Sequence, residues 1–144
     1  GVAWAAISQN DRNANNHYVI DMEGMKLFRK PNSRITVDFS EGIGWYATSY
    51  NPKVFIAVDK TGRELFRIKA SQVYPYTMGL APIIDLHSNK IGFVDKTGNQ
   101  VIPCIYNRKY YSAPRFNSDS MMSLKLNGVE GKLHRNGSFH ARHI

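Results

Sequence analysis

Three histidines close to the C-terminus, His134, His140 and His143, are the first candidates for chemistry. Imidazoles ligate metals and transfer protons near neutral pH. The spacing H-x5-H-x2-H matches no strong zinc pattern, however, and no Cys or Glu lies beside it. His134 also occupies a position that Asp holds in other turns of the chain. The pattern therefore favours a turn residue at His134 and exposed side chains at the other two. An enzyme that uses these histidines is only the third functional hypothesis.

Recurring carboxylates are the second candidate. Asp21, Asp59 and Asp95 follow one another at spacings of 38 and 36 residues. An Asp that opens a tight turn accepts hydrogen bonds from backbone amides two or three residues later, which is a structural role. No hydrolase, zinc-protease, phosphate-loop or dinucleotide fingerprint is present. We therefore expect no enzymatic activity, no metal and no cofactor.

The single cysteine, Cys104, follows Pro103 in an apolar run. With no second cysteine, an internal disulfide is excluded. An apolar setting raises the pKa of a thiol and makes it a poor nucleophile. We expect Cys104 to be mostly buried and to react slowly with thiol reagents.

Basic side chains supply the binding candidates. In residues 107–116, the cations Arg108, Lys109 and Arg115 are interspersed with the aromatics Tyr110, Tyr111 and Phe116. Cations contact phosphates and aromatic rings stack on bases, so this composition suits single-stranded nucleic acid. The alternative is a connection between two repeats whose aromatics pack beneath it.

A second group, Arg63, Arg67 and Lys69, falls on one face of a strand if the period is two. Such a face is either the wall of a groove or the solvated side of a sheet.

Charge and length limit the classes of partner. The 144 residues include 19 Lys and Arg against 11 Asp and Glu, a net charge of +8. This excess attracts acidic proteins, nucleic acid or anionic lipid, and it also promotes solubility. The opening apolar run, residues 2–7, is too short to span a membrane. A start at Gly1 is compatible with a removed leader or an upstream domain, so the compartment is left open.

An internal repeat organises the elements that carry these residues. VDKTG occurs at 58–62 and again at 94–98, with weaker copies at 20–24 and 133–137. The glycines Gly24, Gly62, Gly98 and Gly137 are therefore 38, 36 and 39 residues apart. The openings at Gly1 and Gly42 align over ten residues. These landmarks predict one domain, 1–144, of four units at about 1–38, 39–75, 76–115 and 116–144.

Each unit contains about three segments of strand length, and none shows sustained helical periodicity. Ile and Val far outnumber Leu, which favours strands. The last residue of D-K-T-G needs a left-handed conformation, so Gly62, Gly98 and Gly137 should have positive φ. We expect an all-β fold.

The third unit resembles a WG-repeat, a bacterial β-repeat. The segment N-K-I-G-F-V-D-K-T-G at 89–98 matches its signature with Ile91 in place of Trp, and V-I-P at 101–103 followed by Tyr106 matches its tail. F-S-E-G at 39–42 and G-L-A at 79–81 match its opening. The resemblance implies tandem β-hairpins that act as a binding scaffold, with no family-wide catalytic residues. The signature Trp is absent, so a ligand surface built around it is not carried over.

Together these features predict tandem three-stranded repeats in a closed barrel-like, ring or solenoid arrangement, with a four-bladed propeller as the alternative. The favoured function is binding of a protein, in particular an acidic one, through a basic face. Binding of nucleic acid through residues 107–116 is the alternative. The expected binding residues are Arg63, Arg67, Lys69, Arg108, Lys109, Tyr110, Tyr111 and Arg115, and the expected turn residues are Gly24, Gly62, Gly98, Gly137, Asp59 and Asp95.

Overall fold

The computed structural model describes residues 3–6, 17–20, 26–29, 36–50, 53–108, 116–117 and 120–142. These residues form strands, turns and bends and contain no helix, so the expected all-β class is confirmed. Every strand pair is antiparallel. The strands are β1 Ala3–Ala6, β2 His17–Ile20, β3 Lys26–Arg29, β4 Thr36–Ser40, β5 Ile43–Tyr50, β6 Lys53–Val58, β7 Glu64–Lys69, β8 Gln72–Val73, β9 Ala81–Ile84, β10 Ile91–Val94, β11 Gln100–Arg108, β12 Met121–Leu126, β13 Val129–His134 and β14 Phe139–Ala141.

The strands of the described residues belong to three sheets in two compact units. Unit 1, Gly1–Ala70, contains a three-stranded sheet, β1-β2-β3, and a four-stranded sheet, β4-β5-β6-β7. Unit 2, Ser71–Ile144, contains one seven-stranded sheet in the order β14 to β8. Each strand pairs with its neighbour in sequence, as expected where short turns join antiparallel strands.

The four-stranded sheet of unit 1 buries side chains on both faces. On one face Trp45 is fully buried and packs edge-on against Phe66, with ring centroids 5.5 Å apart. On the other face Tyr46, Ile56 and Val58 form a small cluster. Burial on both faces explains why β6 is a nearly continuous apolar run instead of an alternating one.

The seven-stranded sheet of unit 2 has one large core. Phe93 is fully buried and its ring lies 5.2 Å from that of Phe116, while Tyr106 and Phe139 lie 5.6 Å apart. The buried members of this core are Leu80, Ile84, Ile91, Phe93, Ile102, Tyr106, Phe116, Met122, Leu124 and Leu133. In β12 and β13 burial alternates along the strand, so the opposite face is left to solvent.

The D-K-T-G turns have the predicted conformation. The φ angles of Gly62, Gly98 and Gly137 are 89°, 90° and 95°. In the second of these turns, the Gly98 amide donates to the Asp95 carbonyl at 3.2 Å and the Asp95 amide donates to the Asn99 carbonyl at 2.9 Å. The Asp95 carboxylate accepts from the amides of Thr97 and Asn99 and from the Thr97 hydroxyl. Asp59 makes the equivalent contacts, whereas Gly24 and Asp21 lie outside the described residues.

A bulge follows the turn in three of the hairpins. Val58 pairs with Glu64 but Ala57 pairs with Phe66, which leaves Leu65 as an extra residue. The same shift occurs in unit 2, where Val94 pairs with Gln100 but Phe93 pairs with Ile102, so that Val101 is the extra residue. It also occurs between β2 and β3, where residue 20 pairs with 26 but residue 19 pairs with 28. The β13–β14 hairpin has no such shift. A bulge reverses the parity of every residue beyond it, so simple period-two reasoning fails across this point.

Cys104 corrects one expectation. Its side chain is half-buried, not mostly buried. The pairing of β10 with β11 shifts between Phe93 and Ile91, so several β11 residues lie opposite Gly92. The thiol sits over this glycine, where an added Cβ would lie 2.7 Å from Sγ. It is thus held against the sheet surface and not within the core.

Candidate binding groove

The predicted basic line of unit 1 is only partly on one face. Arg67 pairs with Ile56 and Lys69 with Val54, so these two cations share a face at period two. Arg63 precedes β7, in the turn, and lies beyond the bulge at Leu65. The expectation that Arg63 joins the other two on a regular strand face is therefore wrong, because the bulge shifts the alternation.

Arg67 is also not a freely available cation. Its guanidinium donates two hydrogen bonds of 2.9 Å to the Glu64 carboxylate. This hydrogen bonding holds the pKa of Glu64 below its usual range and raises that of Arg67. The bulge makes this ion pair possible, because it puts residues three apart in sequence on the same face. Beside the pair, burial raises the pKa of the Tyr46 hydroxyl, and the Glu64 charge raises it further.

The basic and aromatic connection at 107–116 is described only at its ends. Arg108 is the last residue of β11, while Lys109, Tyr110, Tyr111 and Arg115 lie outside the described residues. Phe116 is buried in the core of unit 2 against Phe93. This aromatic ring is therefore part of the core and is not available for stacking on a base.

A groove that the sequence analysis did not single out crosses β12, β13 and β14 on the solvent side of the unit 2 sheet. Its volume is about 380 Å³. We call it the C-terminal groove. Its lining residues are Met121, Ser123, Glu130, Gly131, Lys132, His140, Ala141 and Arg142.

The register of the three strands places a row of hydrogen-bond donors across this groove. Ser123 lies opposite Lys132, and Lys132 lies opposite His140. Directly opposed residues have Cβ atoms about 4.5 to 5.5 Å apart and project from the same face. Ser123, Lys132 and His140 are all exposed. A hydroxyl, an ammonium and an imidazole thus form one row, which we call the donor row.

The neighbouring row contains the groove's carboxylate together with two cations. Lys125 lies opposite Glu130. The guanidinium of Arg142, the residue after β14, contacts the Glu130 carboxylate at 3.4 Å, and the Arg142 amide donates to the Glu130 carbonyl at 2.8 Å. Since two cations flank one carboxylate, this row retains a positive charge. With Lys132, the face carries three cations against one anion.

Gly131 brings β14 close to β13. A Cβ at this position would lie 2.5 Å from the His140 carbonyl oxygen and 2.5 Å from the Phe139 ring. No residue larger than glycine fits at position 131 unless β14 moves away. Gly92 of β10 is crowded in the same way by Ile102 and Cys104 of the neighbouring strand β11.

The two described C-terminal histidines, His134 and His140, have different settings. The His134 Nδ1 accepts a hydrogen bond from the Asn136 amide at 3.1 Å, so His134 does take the place of the Asp in this turn. His140 lines the C-terminal groove, and His143 lies outside the described residues. Within the described ranges, no three His, Cys, Asp or Glu side chains come together as a metal site.

The signal for this groove is present in the sequence. From 121 to 134, apolar residues and glycine alternate with Ser123, Lys125, Glu130 and Lys132 about a turn at Asn127–Gly128. Applying the period of two to this hairpin would have put the polar residues on one face. Only the pairing with β14 adds His140 and Arg142 to that face.

Comparison with known proteins gives a likeness of fold. The chain is similar to the crystal structure of a Bacteroides caccae protein of unknown function, with a TM-score of 0.51 and 14% sequence identity. The match covers 96% of this chain and 56% of that one, so this chain spans a little over half of its length. No family model and no curated protein matches the chain. The described residues include no helix long and apolar enough to cross a membrane.

Proposed function

We propose that this chain is a non-catalytic, WG-like repeat domain that binds an acidic segment of another protein through the C-terminal groove. The observation that carries the proposal is the arrangement of cations on the outer face of β12–β14. Lys125, Lys132 and Arg142 project there against the single carboxylate of Glu130. A concave, positively charged sheet face steers an acidic partner toward it and fixes its register.

The WG-like part of the proposal is supported by Gly92 in the third unit and Gly131 in the fourth, the glycines that follow the place of the absent signature Trp. Gly92 and Gly131 both lie where a Cβ would overlap the next strand. This gives a physical reason for glycine there even though the preceding Trp is absent. The tandem arrangement is supported by strand pairs that recur at a regular interval along the chain. In each case a strand pairs with the first strand of the next hairpin: β4 with β5, β8 with β9, and the end of β11 with β12. Residues 36, 72 and 108, each 36 apart, pair with 46, 84 and 124. The closed ring, barrel or solenoid and the four-bladed propeller stay predictions.

The groove favours a protein over nucleic acid because it lacks the large aromatic rings on which bases stack best. Its lining contains no Phe, Tyr or Trp side chain, whereas the stacking platforms of single-stranded nucleic-acid sites are built mainly from such rings together with backbone charge. Nucleic-acid binding by Lys109, Tyr110, Tyr111 and Arg115 stays the alternative. No observation in the described residues favours a reaction.

The test measures binding of a labelled oligoglutamate peptide by fluorescence anisotropy. We expect the double variant Lys125→Glu/Lys132→Glu to lose most of the affinity. The matched control is Arg63→Glu/Lys69→Glu, two exposed cations of unit 1. Each double reversal lowers the net charge from +8 by four to +4, so a general charge effect would weaken both variants equally. Equal losses, or tighter binding of single-stranded DNA than of the peptide, would contradict the proposal.

A further inference from the structure

The donor row of the C-terminal groove has the composition of a site for a phosphoryl group. Ser123, Lys132 and His140 offer three chemically different donors from three adjacent strands. None of the three is a carboxylate. The groove's acidic side chain, Glu130, lies in the next row, where Lys125 opposes it and Arg142 contacts it at 3.4 Å.

A phosphomonoester matches this arrangement better than a carboxylate does. It carries about −1.5 to −2 charges at neutral pH and three acceptor oxygens. A carboxylate carries one charge on two oxygens. Each of the three donors can contact one phosphoryl oxygen. The neighbouring row of Lys125, Glu130 and Arg142 has a net positive charge, which attracts the phosphoryl group without a direct bond.

We propose that the donor row binds the phosphorylated side chain of a serine, threonine or tyrosine in the partner protein. The charge complementarity described above is the basis for this choice of occupant. The inference rests on the proposed function, since it names the chemistry of the segment that the same groove binds. Phosphorylation of the partner would then act as the switch for association.

The open, exposed setting of the groove supports an extended segment as the carrier of the phosphorylated side chain. Ser123, Lys132 and His140 lie on solvent-exposed sheet positions, and the groove is continuous across three strands over a volume of about 380 Å³. A segment lying along the strands would place one side chain at the donor row and another near Arg142. Extended segments present alternate side chains to one surface in this way.

The experiment compares three labelled peptides of identical acidic sequence with phosphoserine, glutamate or serine at the central position. We expect the phosphoserine peptide to bind roughly tenfold tighter than the serine peptide, because charge-assisted hydrogen bonds are the strong ones. The glutamate peptide should fall between them. Equal affinities for the phosphoserine and serine peptides would overturn the inference.

Variants locate the effect. Lys132→Gln, His140→Gln and Ser123→Ala should each reduce the preference for phosphoserine while changing the affinity of the serine peptide much less. Lys96→Gln, an exposed lysine in the β10–β11 turn of the same unit, should keep the full preference. Thermal melts check that each variant is folded. A preference that survives all three groove variants would place the phosphate elsewhere.

Two further arms separate this inference from the proposed function and from other sources of phosphate. If the serine peptide binds wild type and is lost in Lys125→Glu/Lys132→Glu while phosphorylation adds nothing, acidic-segment binding stands and the phosphoryl site fails. If inorganic phosphate or a mononucleotide displaces the phosphopeptide at concentrations below the peptide's own Kd, the site is one for a small phosphate ligand and a phosphorylated partner is excluded.

Discussion

The last glycine of the D-K-T-G turn shows how one residue determines a local structure. Gly98 has a φ of 90°, a region that side chains with a Cβ rarely adopt. Gly98→Ala should lower the free energy of unfolding by about 1 kcal/mol or more, since alanine is incompatible with that backbone. Urea denaturation measures the change. Lys96→Ala in the same turn is the control, and a Gly98→Ala variant as stable as this control would contradict the turn assignment.

The thiol of Cys104 should react slowly even though it is half-buried. Burial raises its pKa, and the nearby charge of Asp85 raises it further. The thiolate is the reactive form, so a raised pKa leaves little of it at pH 8. We expect native protein to be labelled by a disulfide reagent far more slowly than protein in urea. Asp85→Asn should speed the native reaction, and labelling of the native wild type as fast as in urea would rule out this account.

At the scale of the element, the Asp95 turn should make hairpin stability depend on pH. Hydrogen bonds from the Thr97 hydroxyl, and then from backbone amides, hold the pKa of Asp95 below its usual range. The folded-state pKa is lower than the unfolded value of about 3.9. The contribution to stability is therefore present above that value and is lost as the pH falls through the folded-state pKa.

Asp95→Asn tests this dependence. The variant should be less stable than wild type at pH 7, and the gap between their urea midpoints should narrow as the pH falls below the unfolded-state pKa of about 3.9. Thr97→Val removes the shortest of the hydrogen bonds, 2.7 Å from the Thr97 hydroxyl, and should give a smaller effect with the same sign. A gap independent of pH would show that the carboxylate charge contributes nothing to the turn.

The close approach of β14 to β13 is a second property at this scale. A methyl group at Gly131 would overlap the His140 carbonyl and the Phe139 ring. Gly131→Ala should lower the free energy of unfolding by about 1 to 3 kcal/mol, the usual cost of overpacking. It should also accelerate amide exchange in β14, which Gly98→Ala should not do. Hydrogen exchange followed by mass spectrometry checks both expectations, and unchanged exchange of β14 would contradict the tight packing.

For the whole molecule, the net charge of +8 should govern the rate of association with an acidic partner. Changing Arg63, Arg67, Arg108 and Lys109 to Glu should slow the association of oligoglutamate in stopped-flow mixing far more than it changes thermal stability. The defect should shrink at high salt, because the Debye length falls to about 3 Å at 1 M. A defect of the same size at low and high salt would mean that these side chains contact the peptide directly.

Properties that depend only on local geometry can be predicted from the amino-acid sequence alone. The D-K-T-G pattern requires a left-handed glycine, and φ is 89° at Gly62 and 90° at Gly98. Alternation and β-branched composition predict strands, and the described residues contain no helix. The place of His134 in the repeat predicts a turn residue, and its Nδ1 accepts a hydrogen bond from the Asn136 amide. Turn and strand preferences act over a few residues and can therefore be read directly.

Tertiary structure decided which side chains share a face. A bulge at Leu65 separates Arg63 from Arg67 and pairs Arg67 with Glu64, although period two predicted one basic line. The shifted pairing opposite Gly92 left Cys104 half-buried. The donor row exists only because β12, β13 and β14 pair in one register. Strand register is set by turns, bulges and packing against other strands. A shift of one residue moves a side chain to the opposite face of the sheet. The sequence of one strand alone therefore does not predict its register.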